Sequence, residues 1–211
     1  MRSDELKEIK AALSALSADL SLGYLAVTSK PELPVRDRVA WYFHRKHPDL
    51  IAAREYTIKS ENSPKLRKRV DLAVLKRVAH DPVALVEFKA MIVPDPLSSP
   101  EHPLMVSLLD DLKRLSNTHV PHFGVMLMVH IKNVGRLRQQ GLNGRVVKFM
   151  PKFLRWAKDK GHDGLKKAIE NATRFFDRAN LDVTPLTIKL GSVWGARVKL
   201  ACFILEANHT R

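Results

Sequence analysis

Residues 68–93, KRVDLAVLKRVAHDPVALVEFKAMIV, constrain this chain more than any other stretch. Two apolar runs, 70–78 and 83–93, flank Ala-His-Asp-Pro at 79–82. β-Branched runs meeting at an Asp-Pro turn predict a pair of antiparallel strands. Inside those runs sit Asp71, Glu87 and Lys89. Strand side chains alternate between faces, so Glu87 and Lys89 share one side while Val86, Phe88 and Ala90 take the other. A charge among buried apolar neighbours is costly unless it is paired or holds a metal. A hairpin needed only for stability has no use for charges there.

Facing residues of an antiparallel ladder share a face. Asp71 therefore joins Glu87 and Lys89 if the turn centres on a residue, His80 or Asp81, or if a bulge resets the phase. Centring on His80 sets Asp71 opposite Lys89 and diagonal to Glu87. Two carboxylates and an ammonium then converge on one patch. That layout suits a hard divalent cation and an attacking water beside a phosphate.

Asp71, fifteen intervening residues, then Glu87-Phe88-Lys89 resembles the D-(x)n-ExK signature of the PD-(D/E)xK nuclease superfamily. Glu32-Leu-Pro-Val35-Arg36 resembles the E-x-x-V-R helix start in the nuclease domain of type I restriction motor subunits. The resemblance implies a three-layer α/β/α sandwich around a mixed sheet, with a restriction-endonuclease-like core over residues 32–131. It implies a Mg²⁺-dependent (or Mn²⁺-dependent) deoxyribonuclease, in which Asp71, Glu87 and the backbone carbonyl of Phe88 bind the metal. Lys89 would position the attacking water or stabilise the transition state. Glu32 would approach the metal from its helix, with Asp37 as a competitor for that place. Glu32 could instead simply favour the positive helix N-terminus. Glu55, in an Arg54-Glu55 pair typical of the first strand, either reaches the site or pairs with Arg54 or the sheet edge. Asp111 is an auxiliary candidate, with solvation at the border of its helix the preferred reading.

The flanks supply the order of elements. Residues 3–20 predict one amphipathic helix, capped by Ser3 and carrying Leu6, Ile9, Leu13, Leu16 and Leu20 on one stripe. Docking on the domain's own core is the preferred use of that stripe, and a homodimer contact is the alternative. A second helix should start near Pro34, bury Val35, Val39, Tyr42 and Phe43, and end at His47-Pro48. Residues 51–58 predict the first strand and 60–69 a basic turn. After a loop at 94–100, a helix to about Asn117 should bury Leu104, Leu108, Leu112 and Leu115. The apolar run 123–131 predicts a central strand reached by a right-handed crossover. Helices at 146–158 and 164–180 follow. Strands at 183–191 and 196–207 either finish the sheet or form a separate hairpin. A single domain of 211 residues is expected, with an N-terminal helix over 1–25 and a basic extension over 132–211.

Charge points to the partner. Lys and Arg outnumber Asp and Glu 36 to 22, a formal +14. Residues 132–167 alone hold eleven Lys/Arg against two Asp/Glu, a net +9. A polyanion, most simply DNA, is the expected partner. Lys68, Arg69, Lys148, Lys152 and Arg155 are the candidate phosphate contacts. Phe149, Phe153 and Trp156 have helical spacing and are expected in the core. No lipidation signal or membrane-spanning run is present, and the opening residues are too polar for a signal peptide. The single cysteine, Cys202, fits a reducing cytoplasm. His44 with His47, and His119 with His122, lack further ligands for a metal centre. No nucleotide-binding or serine-esterase motif occurs. The readings that compete with a nuclease are a nucleic-acid-binding module that keeps the fold without cutting and, more remotely, an assembly subunit whose basic surface meets an acidic protein.

Overall fold

The computed structural model describes residues 4–59, 67–99, 101–160 and 164–207. Six strands, β1 (Leu50–Lys59), β2 (Arg67–Lys76), β3 (Pro82–Ile92), β4 (His122–Lys132), β5 (Leu181–Val193) and β6 (Ala196–Ala207), form one sheet in the order β1-β2-β3-β4-β6-β5. β3 and β4 run parallel, and every other neighbouring pair is antiparallel. Eight helices lie among the described residues: α1 (Asp4–Ser14), α2 (Leu20–Thr28), α3 (Glu32–Lys46), α4 (Pro94–Ser98), α5 (Pro103–Leu115), α6 (Gly135–Gln139), α7 (Met150–Lys160) and α8 (Gly164–Arg178). The chain is a mixed α/β protein. No helix among the described residues is long and apolar enough to cross a membrane.

The β2–β3 hairpin sets the geometry of everything near Asp71. Its ladder pairs Leu72 with Val86, Ala73 with Leu85 and Val74 with Ala84, then shifts between Val74 and Leu75 so that Leu75 meets Pro82. A bulge, one of the routes left open by the sequence, therefore fixes the phase, and the turn centres on neither His80 nor Asp81. Continued by one residue, the register sets Asp71 level with Glu87, not with Lys89. Val78, counted in the first apolar run, lies in the turn and is 95% exposed.

Alternation then sorts the core onto two faces. Leu72, Val74, Val86, Phe88 and Ala90 pack with Ile9 and Leu13 of α1 and with Val35, Val39 and Phe43 of α3. Met91, Met126 and Met128 pack on the other face with Met105, Leu108 and Leu112 of α5 and with Ala168, Ala172 and Phe176 of α8. The apolar stripe of α1 is thus spent on the domain's own core. Gly124 of β4 sits beside Glu87 and lets α5 approach the sheet. A Cβ there would come within 3.1 Å of Leu112 and 3.2 Å of Leu108. Gly124→Val should lift α5 and lower stability by about 1–3 kcal/mol, read from urea unfolding.

Several boundaries differ from expectation for local reasons. The helix expected over 3–20 stops at Ser14, and the Ser3 cap lies outside the described residues. Ala18 takes a φ of 62°, and Asp19 then caps α2 by accepting the Leu22 N–H at 2.8 Å. Leu20 consequently leaves the apolar stripe and is 59% exposed. The expected loop at 94–100 begins with a short helix, α4, opened by Pro94. The glycine-bearing stretch after β4 forms α6, and α7 starts at Met150, later than expected. β5 and β6 finish the sheet and do not form a separate hairpin. Trp194 and Gly195, with φ of 49° and 76°, make their two-residue turn.

Candidate active site

Beyond the Leu72–Val86 pair, β2 leaves β3 and exposes the edge of β3. Unpaired backbone donors inside a protein are costly and must find acceptors. The N–H of Phe88 donates to Asp71 Oδ2 at 2.8 Å, that of Ala90 to Glu32 Oε2 at 3.2 Å, and that of Ile92 to Asp95 Oδ2 at 3.1 Å. Three carboxylates from β2, α3 and α4 therefore line one open strand edge. A strand residue directs its N–H and C=O to the same side, so the Phe88 carbonyl points to this edge as well.

Glu87 and Lys89 stand on the face under α5. Lys89 Nζ lies 2.7 Å from Asp111 Oδ2, and Asp111 also pairs with Arg114. The preferred reading of Asp111 as a solvated border residue is corrected: it is buried, and it holds the Lys89 ammonium. Burial is the largest influence on Glu87, followed by the charges of Asp71 and Asp111 and a hydrogen bond with Asp71. Against a smaller opposing pull from Lys89, these push the Glu87 carboxyl up to about 8. Asp71 and Glu87 are thus close enough to share a proton. Glu32 is raised too, first by burial and then by the charge of Asp71. Burial acts to lower the Lys89 pKa, but Asp111, Glu87 and Asp71 outweigh it and hold the ammonium above its ordinary value.

The remaining expected residues divide. Glu55 has a φ of 53° and breaks the alternation of β1, so its carboxylate meets Arg36 of α3 and Arg69, the latter at 2.7 Å. It does not join Asp71, although it stands in the same register row. Arg54 pairs instead with Asp37 at 3.1 Å, and Asp37 also holds buried Arg36 at 3.0 Å. Asp37 is therefore engaged away from the open edge, and Glu32 is the helix carboxylate that reaches it. The side chain of Lys68 lies outside the described residues. On α7, Lys152 Nζ is 3.0 Å from Asp95 Oδ1, which ties the basic helix to the same edge. Lys152 and Arg155 line a cavity of about 270 Å³ between α4 and α7. Lys148 stands 5.7 Å above the Phe149 ring. Phe153 is buried in the core that holds α1 and α3, and Trp156 packs on the core under α5 and α8.

Asp95 was not expected. Its signal was present, since an acid between two prolines directly after a strand is set to cap the strand's last donor. Of the histidines considered above, His47 lies 2.9 Å from Glu8, His44 stacks on Trp41, and His122 Nδ1 is 3.1 Å from the Val120 carbonyl oxygen. Cys202 is buried, with its thiol pushed far above its ordinary pKa by burial. Among the described residues, no group of three or more His, Cys, Asp or Glu side chains gathers as a ready metal cage. Comparison of the chain with protein-family models, with curated proteins and with solved structures finds no match.

Proposed function

We propose that this chain is a divalent-metal-dependent nuclease that hydrolyses DNA phosphodiester bonds at a PD-(D/E)xK-type site. The observation that carries the reading is the convergence of Glu87 and Lys89, on the face under α5, with Asp71 at the adjoining open edge of β3. The packing of helices against both sheet faces supports a three-layer α/β/α sandwich with a restriction-endonuclease-like core, to which β5, β6 and α6–α8 are additions.

The donor set fits Mg²⁺ or Mn²⁺. Asp71 and Glu87, in hydrogen-bond contact beside the Phe88 carbonyl, offer oxygen ligands only. An ion of this kind keeps several waters and needs few protein ligands. When bound, it supplies Lewis-acid polarisation of the phosphate and an acidified water. Asp71 and Glu87 would hold it, and Asp71 is itself oriented by the Phe88 N–H. Lys89 would present its ammonium to the attacking water and to the charge that develops on the phosphate oxygens. Asp111 keeps that ammonium in place and is a positioning residue. Glu32, with one oxygen on the Ala90 N–H, would turn the other toward the water. The water would add to phosphorus as it gives up a proton to solvent, the bond to the leaving sugar oxygen would break, and that oxygen would take a proton from a second water.

Purified protein is expected to nick supercoiled plasmid with Mg²⁺ or Mn²⁺ and to stop on addition of EDTA. Tight DNA binding without cutting on a broad substrate panel would favour the binding module.

A further inference from the structure

The register places four cations on one face at one end of the sheet. Lys132 of β4 stands opposite Arg197 of β6, and Lys189 of β5 stands opposite Lys199 of β6. Arg197 and Lys199 share the face of Ala201 and Phe203, the same face that carries Lys89 and α5. Like charges set directly opposite one another are destabilising. None of the ion pairs among the described residues involves any of the four. The carboxylates of this hairpin, Asp182 and Glu206, face each other at its opposite end. A face built only for solubility would intersperse the two signs. Arg136 of α6 lies beside the β5–β6 turn at the same end of the sheet, since a Cβ on Gly195 would lie 3.4 Å from its Cδ. His130, opposite Lys199, is depressed to about 4, first by burial and then by Lys199 and Lys132, so it stays neutral beside them at pH 7.

We infer that Lys132, Lys189, Arg197 and Lys199 form a phosphate-gripping surface for duplex DNA, distant from the cut and separate from α7. The inference rests on the nuclease reading only for its substrate. Lys89 is level with Met126, four residues before His130 on β4, and β5 lies three strands from β3. At ~4.8 Å between strands and ~3.3 Å per residue, Lys189 stands about 20 Å from Lys89. At ~3.4 Å per base pair that distance corresponds to roughly six base pairs of duplex. The surface therefore fits a substrate that continues past the site as a double helix, and not a short single strand.

The test is fluorescence anisotropy with a labelled duplex of about 20 base pairs in EDTA, across a salt series, for wild type and K189Q/R197Q/K199Q. Loss of three phosphate contacts should flatten the slope of log K against log salt by about 2.7 and weaken binding about 10²-fold at ~0.1 M salt. The melting temperature of the variant should hold or rise, because facing like charges are removed. If the triple variant fails to fold, K189Q alone, at an exposed position, should flatten the slope by about 0.9. An unchanged slope in a folded variant overturns the inference. So does a variant that loses binding to phosphatidylserine vesicles but not to duplex. Binding in EDTA is read without cutting, so a flattened slope here, beside undiminished cleavage by Asp71→Asn in a separate plasmid-nicking assay, would sink the nuclease reading and leave this surface standing.

Discussion

Asp71→Asn and Lys89→Met are each expected to slow DNA cutting at least roughly 10²–10³-fold, with folding retained. The asparagine side chain keeps an oxygen to accept the Phe88 N–H, now 2.8 Å from Asp71 Oδ2, so the strand edge stays capped. What it loses is the charge that would be shared with Glu87 on a cation. Lys89→Met keeps most of the apolar stem and removes only the ammonium, which lies 2.7 Å from Asp111. Asp111 retains Arg114 as a partner, which limits the damage to stability. Plasmid nicking under single-turnover conditions, beside urea unfolding of each variant, separates loss of chemistry from loss of fold. Two folded variants that cut like the wild type would remove these residues from catalysis.

In EDTA, stability should fall as pH rises from about 4.5 to about 8. The carboxyl of Glu87 is held up to about 8 in the folded protein, chiefly by burial and then by Asp71. The unfolded chain has released that proton above the ordinary glutamate range, near 4.5. Through the window the native state therefore binds more protons, and raising the pH favours unfolding. The stabilisation is complete below about 4.5 and is lost on passing 8. Glu87→Gln imitates the protonated carboxyl and can still donate to Asp71. It should leave stability at pH 4.5 nearly unchanged and raise it at pH 9. Each pKa unit corresponds to about 1.4 kcal/mol, and each kcal/mol moves the melting midpoint of a chain this size by about 2–4 °C. Melting curves for both proteins at the two pH values decide it, and an equal effect at both would place Glu87 in ordinary packing.

Much of this site was legible because charges in apolar strand runs have few explanations. Asp71, Glu87 and Lys89 stood out on alternation alone, and their shared face followed once any bulge or residue-centred turn was allowed. The position of the bulge between Val74 and Leu75 was not legible, since nothing in Val74-Leu75-Lys76 announces it. Periodicity found α3, α5 and β4 because their apolar positions repeat cleanly. It merged α1 with the start of α2, because Leu16 and Leu20 continue the stripe while the break depends on one backbone angle at Ala18. Glu55 was undecidable for the same reason: a left-handed residue in β1 turns it away from Asp71. Asp111 was assigned to solvent because helical spacing put it at the stripe's border. Only the close approach of α5 over Gly124 brings it onto Lys89.

The most direct measurement is calorimetric titration of Mn²⁺ at pH 7 in buffers of different ionisation enthalpy. With Glu87 held to about 8 beside Asp71, the cation replaces a shared proton, so binding should release about one proton per ion. Binding should weaken strongly in Asp71→Asn, and Glu87→Gln should abolish the proton release. No Mn²⁺ binding by the wild type, or binding of equal strength and without proton release in all three proteins, would contradict a metal site built on Asp71 and Glu87.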